Sequence, residues 1–519
     1  MNAPQDRGRF RRHPGSRKRP SRRGQVDPKA RLETELTQRP ASTSPQTFNV
    51  VPVTARQYAF VILNEARRTG QFVDEILERQ TGIEDLSTAD RRFLTELVNG
   101  VTRRTRTLDA ILSKFVTRPQ EKVEPALWTL LSIGAYQLVL MTGVGSHAAV
   151  NETVLLAGWL DEPRWKGFLN GVLRSIGRDV TDDYSDEPAR NCVPVVTHAG
   201  NEGDTGEAVR LRQLRQDVLP DPGLWTTWLA AAYGLPAWLL YRWGHRFSDA
   251  ELHNVAQWFE QRSPLTLRVN PLKGTRGELL AVLNAAMPTD GGNDPKFAAG
   301  NRPASIRVSG SVRVTELPGF ADGWLTVQDE TAMSAAELLA PQPGQSVLDL
   351  CAAPGGKTTH IAELMQNTGK VLAADSDANR LRRVYENSER LGLDIIEPLH
   401  VDDDSRDLPI TLFDAVLVDV PCSNTGVIGK RPEVRTRLQE RDIADFAMKQ
   451  LALLRSAASR VRPGGRLVYS TCSIEAQENT GVVNSLLEST TDFVLEEVRE
   501  LVPGQPSDGG FQALLVRSA

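Results

Sequence analysis

The stretch that decides the fold is Val347-Leu-Asp-Leu-Cys-Ala-Ala-Pro-Gly-Gly-Lys-Thr-Thr359. Its apolar start, 347–350, predicts a buried strand, and the Gly-rich turn that follows leads into a helix over 358–365. The chain then repeats this alternation, with strand-like runs at 371–374, 415–418 and 466–469. Strands that alternate with helices predict a mostly parallel sheet covered on both faces, so we expect an α/β domain from about residue 324 to 519.

Chemistry-bearing side chains follow each of these four strands. The Gly-rich turn 351–357 follows the first strand, Asp375 the second, Asp419 and Cys422 the third, and Cys472 the fourth. Ligands of open α/β sheets bind beyond the carboxyl ends of the strands. Two acids and two thiols are therefore predicted to share one sheet edge with the Gly-rich turn.

The Gly-rich turn fits two kinds of nucleotide site. Gly356-Lys357-Thr358 matches the end of a P-loop, but Cys351 stands where the first P-loop glycine belongs, which counts against nucleotide hydrolysis. The alternative is a turn that binds a nucleoside cofactor. Asp375, 20 residues after Gly355, would then accept hydrogen bonds from ribose hydroxyls, unless it only caps a helix.

The two cysteines at this edge indicate covalent chemistry. One cysteine alone would be interpreted as a small buried apolar residue. A thiolate, however, is a strong nucleophile, suited to attack on an electron-poor ring carbon such as C6 of a pyrimidine. That attack would make C5 able to accept an electrophilic methyl group, and Asp419 could bind or protonate N3.

The length and the charge distribution of the chain indicate several domains and a basic N-terminal tail. The 519 residues suggest two to four domains. The formal net charge is −4, but residues 1–31 hold 11 basic and 2 acidic side chains. Residues 1–48 are predicted to be a disordered basic tail, either simply solvated or a non-specific RNA-binding arm. The four cysteines form neither a disulfide framework nor a C-x-x-C pair, so we expect reduced thiols and a cytoplasmic protein.

Three segments precede the α/β domain. Residues 54–178 show helical periodicity and predict a helix bundle, in which the apolar part of the uncharged stretch 125–151 is too short to cross a membrane. Residues 181–222 hold 9 acidic and 4 basic residues and are interpreted as a linker or insertion; Cys192 and His198 lie here without a third metal ligand. Residues 223–315 mix helices and strands, and their tryptophans are predicted to be core rather than a base-stacking platform: Trp225, Trp228, Trp238 and Trp243.

Three motifs resemble those of RNA cytosine-C5 methyltransferases. They are residues 347–359, Asp419-Val-Pro-Cys-Ser-Asn-Thr-Gly426 and Tyr469-Ser-Thr-Cys-Ser473. The helical segment resembles the antitermination protein NusB in residues 91–101, 134–138, 147–152 and 168–174. The combination resembles the ribosomal RNA small subunit methyltransferase B family, also called Sun or Fmu, over 54–180 and 223–519.

The resemblance implies a multidomain architecture and a reaction. It implies a NusB-like all-α RNA-binding domain (54–180), an RNA-binding or linking subdomain (223–315) and a Rossmann-like methyltransferase domain (316–519) with a seven-stranded type of sheet. The reaction would transfer methyl from S-adenosylmethionine to C5 of a cytosine in 16S rRNA, without a metal. The partner would be 16S rRNA or a small-subunit assembly intermediate, with no membrane, and the protein would be a monomer.

Site roles follow from the same resemblance. Cys472 would attack C6, Cys422 would assist release of the methylated base, and Asp419 would contact both cytosine and donor. Asp375 would bind the donor ribose. Asp404 would bind the adenine side through its Asp-x-Arg spacing, although Asp403 stands where glycine is usual and is the alternative ligand. The residues expected to wrap the donor are Cys351, Ala352, Ala353, Pro354, Gly355, Gly356 and Lys357.

Several alternatives stay open. The same chemistry could act on tRNA or large-subunit rRNA, and a P-loop NTPase or a non-catalytic RNA-binding factor would be different classes. A zinc deaminase is excluded because Thr425 stands where its second cysteine is required. The basic residues of 427–437 are interpreted as contacts to substrate phosphates or as a solvated loop: Lys430, Arg431, Arg435 and Arg437.

Overall fold

The structure is a computed structural model of the full chain. It describes residues 47–198, 207–261, 265–286, 295–310, 312–403, 405, 407–504 and 507–519. The predicted tail lies outside the described residues except for 47–48, and Asp404 lies outside them too.

The N-terminal part is helical, as predicted. Thr54 begins the first helix with a capping box to Gln57, and the Ser87 hydroxyl accepts from the Asp90 N–H. The uncharged stretch forms a buried helix that continues into one π-helical turn, Tyr136–Leu140. The α-helices of this part are α1 Ala55–Thr69, α2 Val73–Glu78, α3 Thr88–Arg103, α4 Thr105–Phe115, α5 Pro125–Ala135, α6 Ser146–Trp159 and α7 Trp165–Asp179.

The acid-rich segment contains a small sheet where its composition indicated a linker. Strands β1 (Val180–Ser185), β2 (Cys192–His198) and β3 (Glu207–Leu214) pair antiparallel in the order β1-β3-β2. Cys192, Val193 and Val195 are buried in the same core as the helical part. Burial of these residues therefore outweighs the acidic composition, and the acidic side chains on β1 and in the turn after it are exposed: Asp182, Asp183, Asp186 and Glu187.

The middle part contains four α-helices and a second sheet. Trp228 and Trp243 are fully buried, which confirms their predicted core role, whereas Trp225 and Trp238 are partly exposed. The four-stranded antiparallel sheet has the order β5-β6-β4-β7. Its elements, with the preceding helices, are α8 Trp225–Tyr233, α9 Ala237–Trp243, α10 Asp249–Trp258, β4 Leu265–Val269, α11 Arg276–Ala286, β5 Lys296–Ala299, β6 Ser305–Ser309 and β7 Leu325–Val327.

The C-terminal part is an α/β domain around a seven-stranded sheet. The helices and strands are α12 Glu330–Leu339, β8 Ser346–Leu350, α13 Gly356–Leu364, β9 Lys370–Asp375, α14 Ala378–Leu391, β10 Ile396–His400, β11 Phe413–Asp419, α15 Val434–Arg437, α16 Glu440–Ala458, β12 Val461–Thr471, α17 Thr480–Ser489, β13 Phe493–Leu501 and β14 Gly510–Arg517. The order is β10-β9-β8-β11-β12-β14-β13. The first five strands are parallel and β14 is antiparallel to both neighbours, so the predicted mostly parallel sheet is confirmed.

Apolar layers cover both faces of this sheet. Helices α12, α13 and α14 pack on one face, around Val347, and helices α16 and α17 pack on the other, around Leu348. The register places Leu350 level with Ala374 and Val418, and Val418 level with Tyr469. The residues that follow these strands therefore emerge together at one edge.

A buried triad of charged side chains joins the three parts. Glu260, after α10, accepts from Arg104 of the helical part and from Arg435 of α15, each at 2.7 Å. All three side chains are at most 4% exposed. The triad therefore couples the N-terminal helices to the segment between β11 and α16 that contains α15. No helix among the described residues is long and apolar enough to cross a membrane.

Candidate active site

The Gly-rich turn is shaped by residues with left-handed backbone. Cys351 has φ of 64° and Gly355 has φ of 100°, and Gly355 begins helix α13. A Cβ atom at Gly355 would lie 3.1 Å from the Val384 Cα, so a side chain would be both strained and crowded. The turn therefore brings its backbone close to α14 and leaves the N-terminal N–H groups of α13 directed beyond the sheet edge.

Asp375 supports this turn from the end of the neighbouring strand. Its Oδ2 accepts from the Ala353 N–H and its Oδ1 from the Asp377 N–H, both at 2.9 Å. The N-cap of α14 is Asp377, which accepts from the N–H groups of Asn379 and Arg380, so the helix-cap alternative for Asp375 is wrong. The buried Asp375 carboxylate lies beside the turn, and its expected ribose contact stays a prediction.

Arg268 fastens the same turn to the middle part of the chain. This fully buried side chain of β4 donates to the Gly356 carbonyl at 2.7 Å and makes two hydrogen bonds of 2.8 Å to Glu363. The bidentate, charge-assisted pair holds the first turns of α13 in place. Arg268 and Glu363 lie 95 residues apart in the sequence, so no local pattern predicts this pair.

Asp419 forms an ion pair that sequence reasoning also missed. The Lys357 ammonium donates to Asp419 Oδ2 at 2.6 Å, so the end of the Gly-rich turn and the end of β11 are joined. Burial alone would lower the pKa of Lys357, but the nearby carboxylate of Asp419 outweighs it and raises that pKa. Lys357 therefore stays charged, and Asp419 keeps one carboxylate oxygen without a contact to Lys357.

The two predicted thiols meet at this edge. Cys422 Sγ and Cys472 Sγ lie 3.1 Å apart, and both are free thiols. Cys422 is buried, whereas Cys472 is partly exposed. The hydrogen bond with Cys472, burial and nearby negative charge raise the pKa of Cys422 well above its ordinary value. Cys422 is therefore held as the neutral thiol, and Cys472 is the one open to a ligand.

Asn424 orients the Cys472 thiol. Its side-chain oxygen accepts from Cys472 Sγ at 3.1 Å, while its amide nitrogen donates to the Cys422 carbonyl at 3.0 Å. Asn424 has φ of 59°, a conformation that asparagine tolerates better than most residues. Sequence reasoning quoted Asn424 within the motif but assigned it no role.

A buried acid lies beneath the turn. Asp349 of β8 is fully buried, and burial raises its pKa to about 7. The Thr358 hydroxyl donates to it at 2.6 Å. Burial and the neighbouring carboxylates also raise the pKa of the Cys351 thiol, which makes this cysteine a poor nucleophile.

The basic segment 427–437 is mostly internal. Arg435 is fully buried in the triad with Glu260, so its predicted contact with substrate phosphates is wrong. Lys430 pairs with Asp329 at 2.8 Å and with Asp508 at 2.7 Å. Arg437 lies over the ring of Phe72, 4.1 Å from its centroid. Burial and ion pairs therefore occupy Arg435 and Lys430, whereas Arg431 and Arg437 are exposed, and a phosphate contact of these two stays a prediction.

No cluster of three or more potential metal ligands exists among the described residues. Cys192 lies within β2, in the apolar core, and His198 ends the same strand. The side chains found at the sheet edge are two thiols, the carboxylates of Asp375 and Asp419, and the ammonium of Lys357.

Comparison with known proteins assigns each part of the chain to a family. The model described as 16S rRNA methyltransferase RsmB/F matches residues 336–513, and the NusB family model matches residues 53–178. A model described as the ferredoxin-like domain of RsmF/B-like methyltransferases matches residues 235–289.

Similar proteins align over most of the chain. The probable ribosomal RNA small subunit methyltransferase B of Synechocystis is 35% identical over 85% of this chain and 90% of its own length. The ribosomal RNA small subunit methyltransferase B of Salmonella arizonae is 35% identical over 82% of this chain and 91% of its own. The crystal structure of PH0851 superposes with a TM-score of 0.68 and 26% identity, covering 90% of this chain and all of that one.

Proposed function

The chain belongs to the 16S rRNA methyltransferase RsmB/F family, and from that membership we propose that it methylates C5 of a cytosine in 16S rRNA, with S-adenosylmethionine as donor. The family consists of S-adenosylmethionine-dependent rRNA methyltransferases. The target position, the covalent route and the roles of individual residues are the proposal. Its strongest support is the pair of thiols 3.1 Å apart beside Asp419.

Cys472 is the proposed nucleophile. It is the more exposed thiol, and Asn424 fixes the direction of its sulfur. Bond formation between Cys472 Sγ and C6 of cytosine places electron density at C5. Asp419, with one oxygen not engaged by Lys357, is suited to contact N3 and to stabilise the ring during attack.

Cys422 is proposed to complete the reaction. Cys422 first gives its own thiol proton to solvent; the thiolate that forms is a strong base, because its pKa is raised, and removes the C5 proton. Loss of that proton restores the C5–C6 double bond and breaks the bond from C6 to Cys472 Sγ. Cys472 is released as its thiolate, the methylated base leaves, and the C5 proton remains on Cys422.

The residues of the sheet edge fit the expected donor. The Gly-rich turn 351–357 leads into the N-terminus of α13, Asp375 accepts from its Ala353 N–H, and Lys357 joins it to Asp419. Asp404 stays a predicted ligand outside the described residues. When bound, S-adenosylmethionine supplies an electrophilic methyl group.

The RNA would be held by the NusB-like helices and the middle part of the chain. The target base must leave any stack to reach Cys472, so a loop or an opened helix in 16S rRNA or in a small-subunit intermediate is the proposed substrate. A cytoplasmic monomer without a membrane partner is consistent with this role.

The test is methyl transfer from labelled S-adenosylmethionine to unmodified 16S rRNA, with nucleoside analysis. We expect label in 5-methylcytosine, no turnover by Cys472→Ala, and a trapped protein–RNA complex with Cys422→Ala. Cys192→Ala is the matched control, because this buried cysteine lies outside the site, and it should retain full activity. Full turnover by the Cys472→Ala variant would contradict the mechanism, and label only in tRNA would contradict the substrate.

A further inference from the structure

One buried carboxylate near the thiols has no part in the mechanism above. Glu478 lies six residues after Cys472, between β12 and α17, and is fully buried. Its Oε1 accepts from the hydroxyls of Ser423 and Ser473, the latter at 2.8 Å. Its Oε2 accepts from the Ser423 N–H at 2.9 Å and from the Gln450 side-chain amide at 2.8 Å.

The partners of Glu478 are the neighbours of the two cysteines. Ser423 directly follows Cys422, and Ser473 directly follows Cys472. One carboxylate therefore binds both cysteine loops, which come from different strands of the sheet. Gln450 extends the arrangement, because its amide also donates to the carbonyl of Pro421, at 3.0 Å.

We infer that Glu478 is a positioning residue that holds the Cys422 and Cys472 thiols in contact, with Cys472 as the thiol that reacts. The inference rests on the proposed function of the two cysteines. The two loops also contact each other directly, through the thiol pair, Cys472 Sγ to Asn424, the hydroxyls of Ser423 and Ser473, and the Gly426 N–H to the Cys472 carbonyl at 3.0 Å. Glu478 adds a buried carboxylate that binds both loops. The Glu478 carboxylate is charge-assisted at every contact, so it contributes more to the spacing of the loops than a neutral bond would.

The charge of Glu478 acts in the same direction. Its negative charge is among the groups that raise the pKa of Cys422. Burial raises the pKa of Glu478 itself, but the four donors oppose that effect. The arrangement thus favours Cys472 as nucleophile and keeps Cys422 protonated until it is needed.

The decisive variant is Glu478→Gln, which keeps the shape and removes the charge. Alkylation of each cysteine by iodoacetamide is followed by peptide mass spectrometry across a pH series, without RNA. In the unaltered protein Cys472 should react before Cys422. In Glu478→Gln the rate of Cys422 should rise relative to Cys472 by about threefold or more, because a negative charge that raises the pKa of Cys422 is removed.

Methyl transfer supplies the second measurement. Glu478→Ala, which also removes the contacts, should lower kcat by about 10²-fold, while KM for RNA and donor stays within about twofold, because the reacting groups lose alignment rather than binding. The kcat of Glu478→Gln should lie between that of the unaltered protein and that of Glu478→Ala. Glu475→Gln is the matched control: this carboxylate is buried on the same loop but binds Arg242 and Trp243, so the order of cysteine alkylation should not change.

The outcomes separate this inference from the proposed function. If the unaltered protein methylates no cytosine, the proposed function fails, while the alkylation series still tests the role of Glu478. If Glu478→Gln alkylates both cysteines as the unaltered protein does and keeps its kcat, the inference is wrong. Should both Glu478 variants fail to fold, Ser473→Ala removes one contact of the carboxylate and must change the alkylation rate of Cys472, or the inference is overturned.

Discussion

Replacement of Glu260 by glutamine tests the buried triad that joins the three parts of the chain. Glu260 accepts from Arg104 and Arg435. The Arg104 guanidinium also donates to the Ala232 carbonyl, and the Arg435 guanidinium donates to the carbonyls of Tyr233 and Phe259. Glutamine has the same shape but only one acceptor atom. Its amide group must therefore face one of the two guanidinium groups, which leaves a buried charge without compensation.

The expected cost can be worked from this geometry. Removal of one partner from a buried ion pair costs about 3–5 kcal/mol. Glutamine keeps one acceptor, so we expect the lower end, about 3 kcal/mol, or about a 10²-fold increase in opening of the junction at 1.4 kcal/mol per tenfold. Proteolysis under native conditions reports that opening when closing is faster than cleavage.

The control is the same substitution in an exposed pair. Glu65 binds Arg79 at 2.5 Å, with side chains 26% and 44% exposed. Glu65→Gln should cost at most about 1 kcal/mol, because solvent screens surface pairs. If Glu260→Gln is cleaved no faster than Glu65→Gln, the triad does not hold the junction, and the reasoning is refuted.

The effect of Glu260→Gln should also depend on pH. Burial by itself would raise the pKa of Glu260, but Arg104 and Arg435 outweigh burial and hold that pKa below its ordinary value of 4.5. A lowered pKa in the folded state stabilises the protein above the unfolded-state value, and that contribution is lost as pH falls through the folded-state pKa. The difference between the variant and the unaltered protein should therefore be full at pH 7 and shrink below about pH 4.5.

Two further predictions concern the Gly-rich turn. Asp375→Asn places an amide group against one of the two N–H donors, Ala353 or Asp377. Because a hydrogen bond to a charged group contributes about 1.5–3 kcal/mol, the variant should bind S-adenosylmethionine about tenfold or more weakly in calorimetry. Asp377→Asn, which can still cap α14, is the control and should bind the donor normally. Asp349 has a pKa of about 7 in the fold against 3.8 as its ordinary value, so its contribution to stability decreases as pH rises from about 4 to 7 and then levels off. The stability of Asp349→Asn relative to the unaltered protein, from urea unfolding, should therefore increase by about 1.4 kcal/mol per pH unit from pH 5 to 7; a flat difference would show that Asp349 is already ionised.

The architecture was predictable because its signals are local. The strand, Gly-rich turn and helix of 347–365 lie next to each other in sequence, and the alternation of strands and helices repeats after them. The positions of Asp375, Asp419, Cys422 and Cys472 at one edge follow from that alternation, since parallel strands end together. The sequence predicts that the two thiols lie at the same edge of the sheet, whereas their direct contact is known only from the structure.

Other features depend on contacts that no local pattern contains. The pair of Lys357 and Asp419 joins residues 62 apart, and the contact of Glu478 with Ser423 joins residues 55 apart. Arg435 lies in a basic run that looks solvated, yet Glu260, 175 residues away, draws it into the interior. The acidic composition of residues 181–222 obscures the strands β1–β3 in the sequence, because their apolar residues pack against helices that are distant along the chain.

The central claim, that Cys472 attacks the target cytosine, is tested most directly by locating the covalent bond. Cys422→Ala is incubated with unmodified 16S rRNA and S-adenosylmethionine, digested with protease and nuclease, and analysed by mass spectrometry. The account predicts a single cross-linked peptide that contains Cys472 and carries a methylated cytosine. A cross-link at Cys351, or 5-methylcytosine formed in full yield by a protein that lacks Cys472, would contradict it.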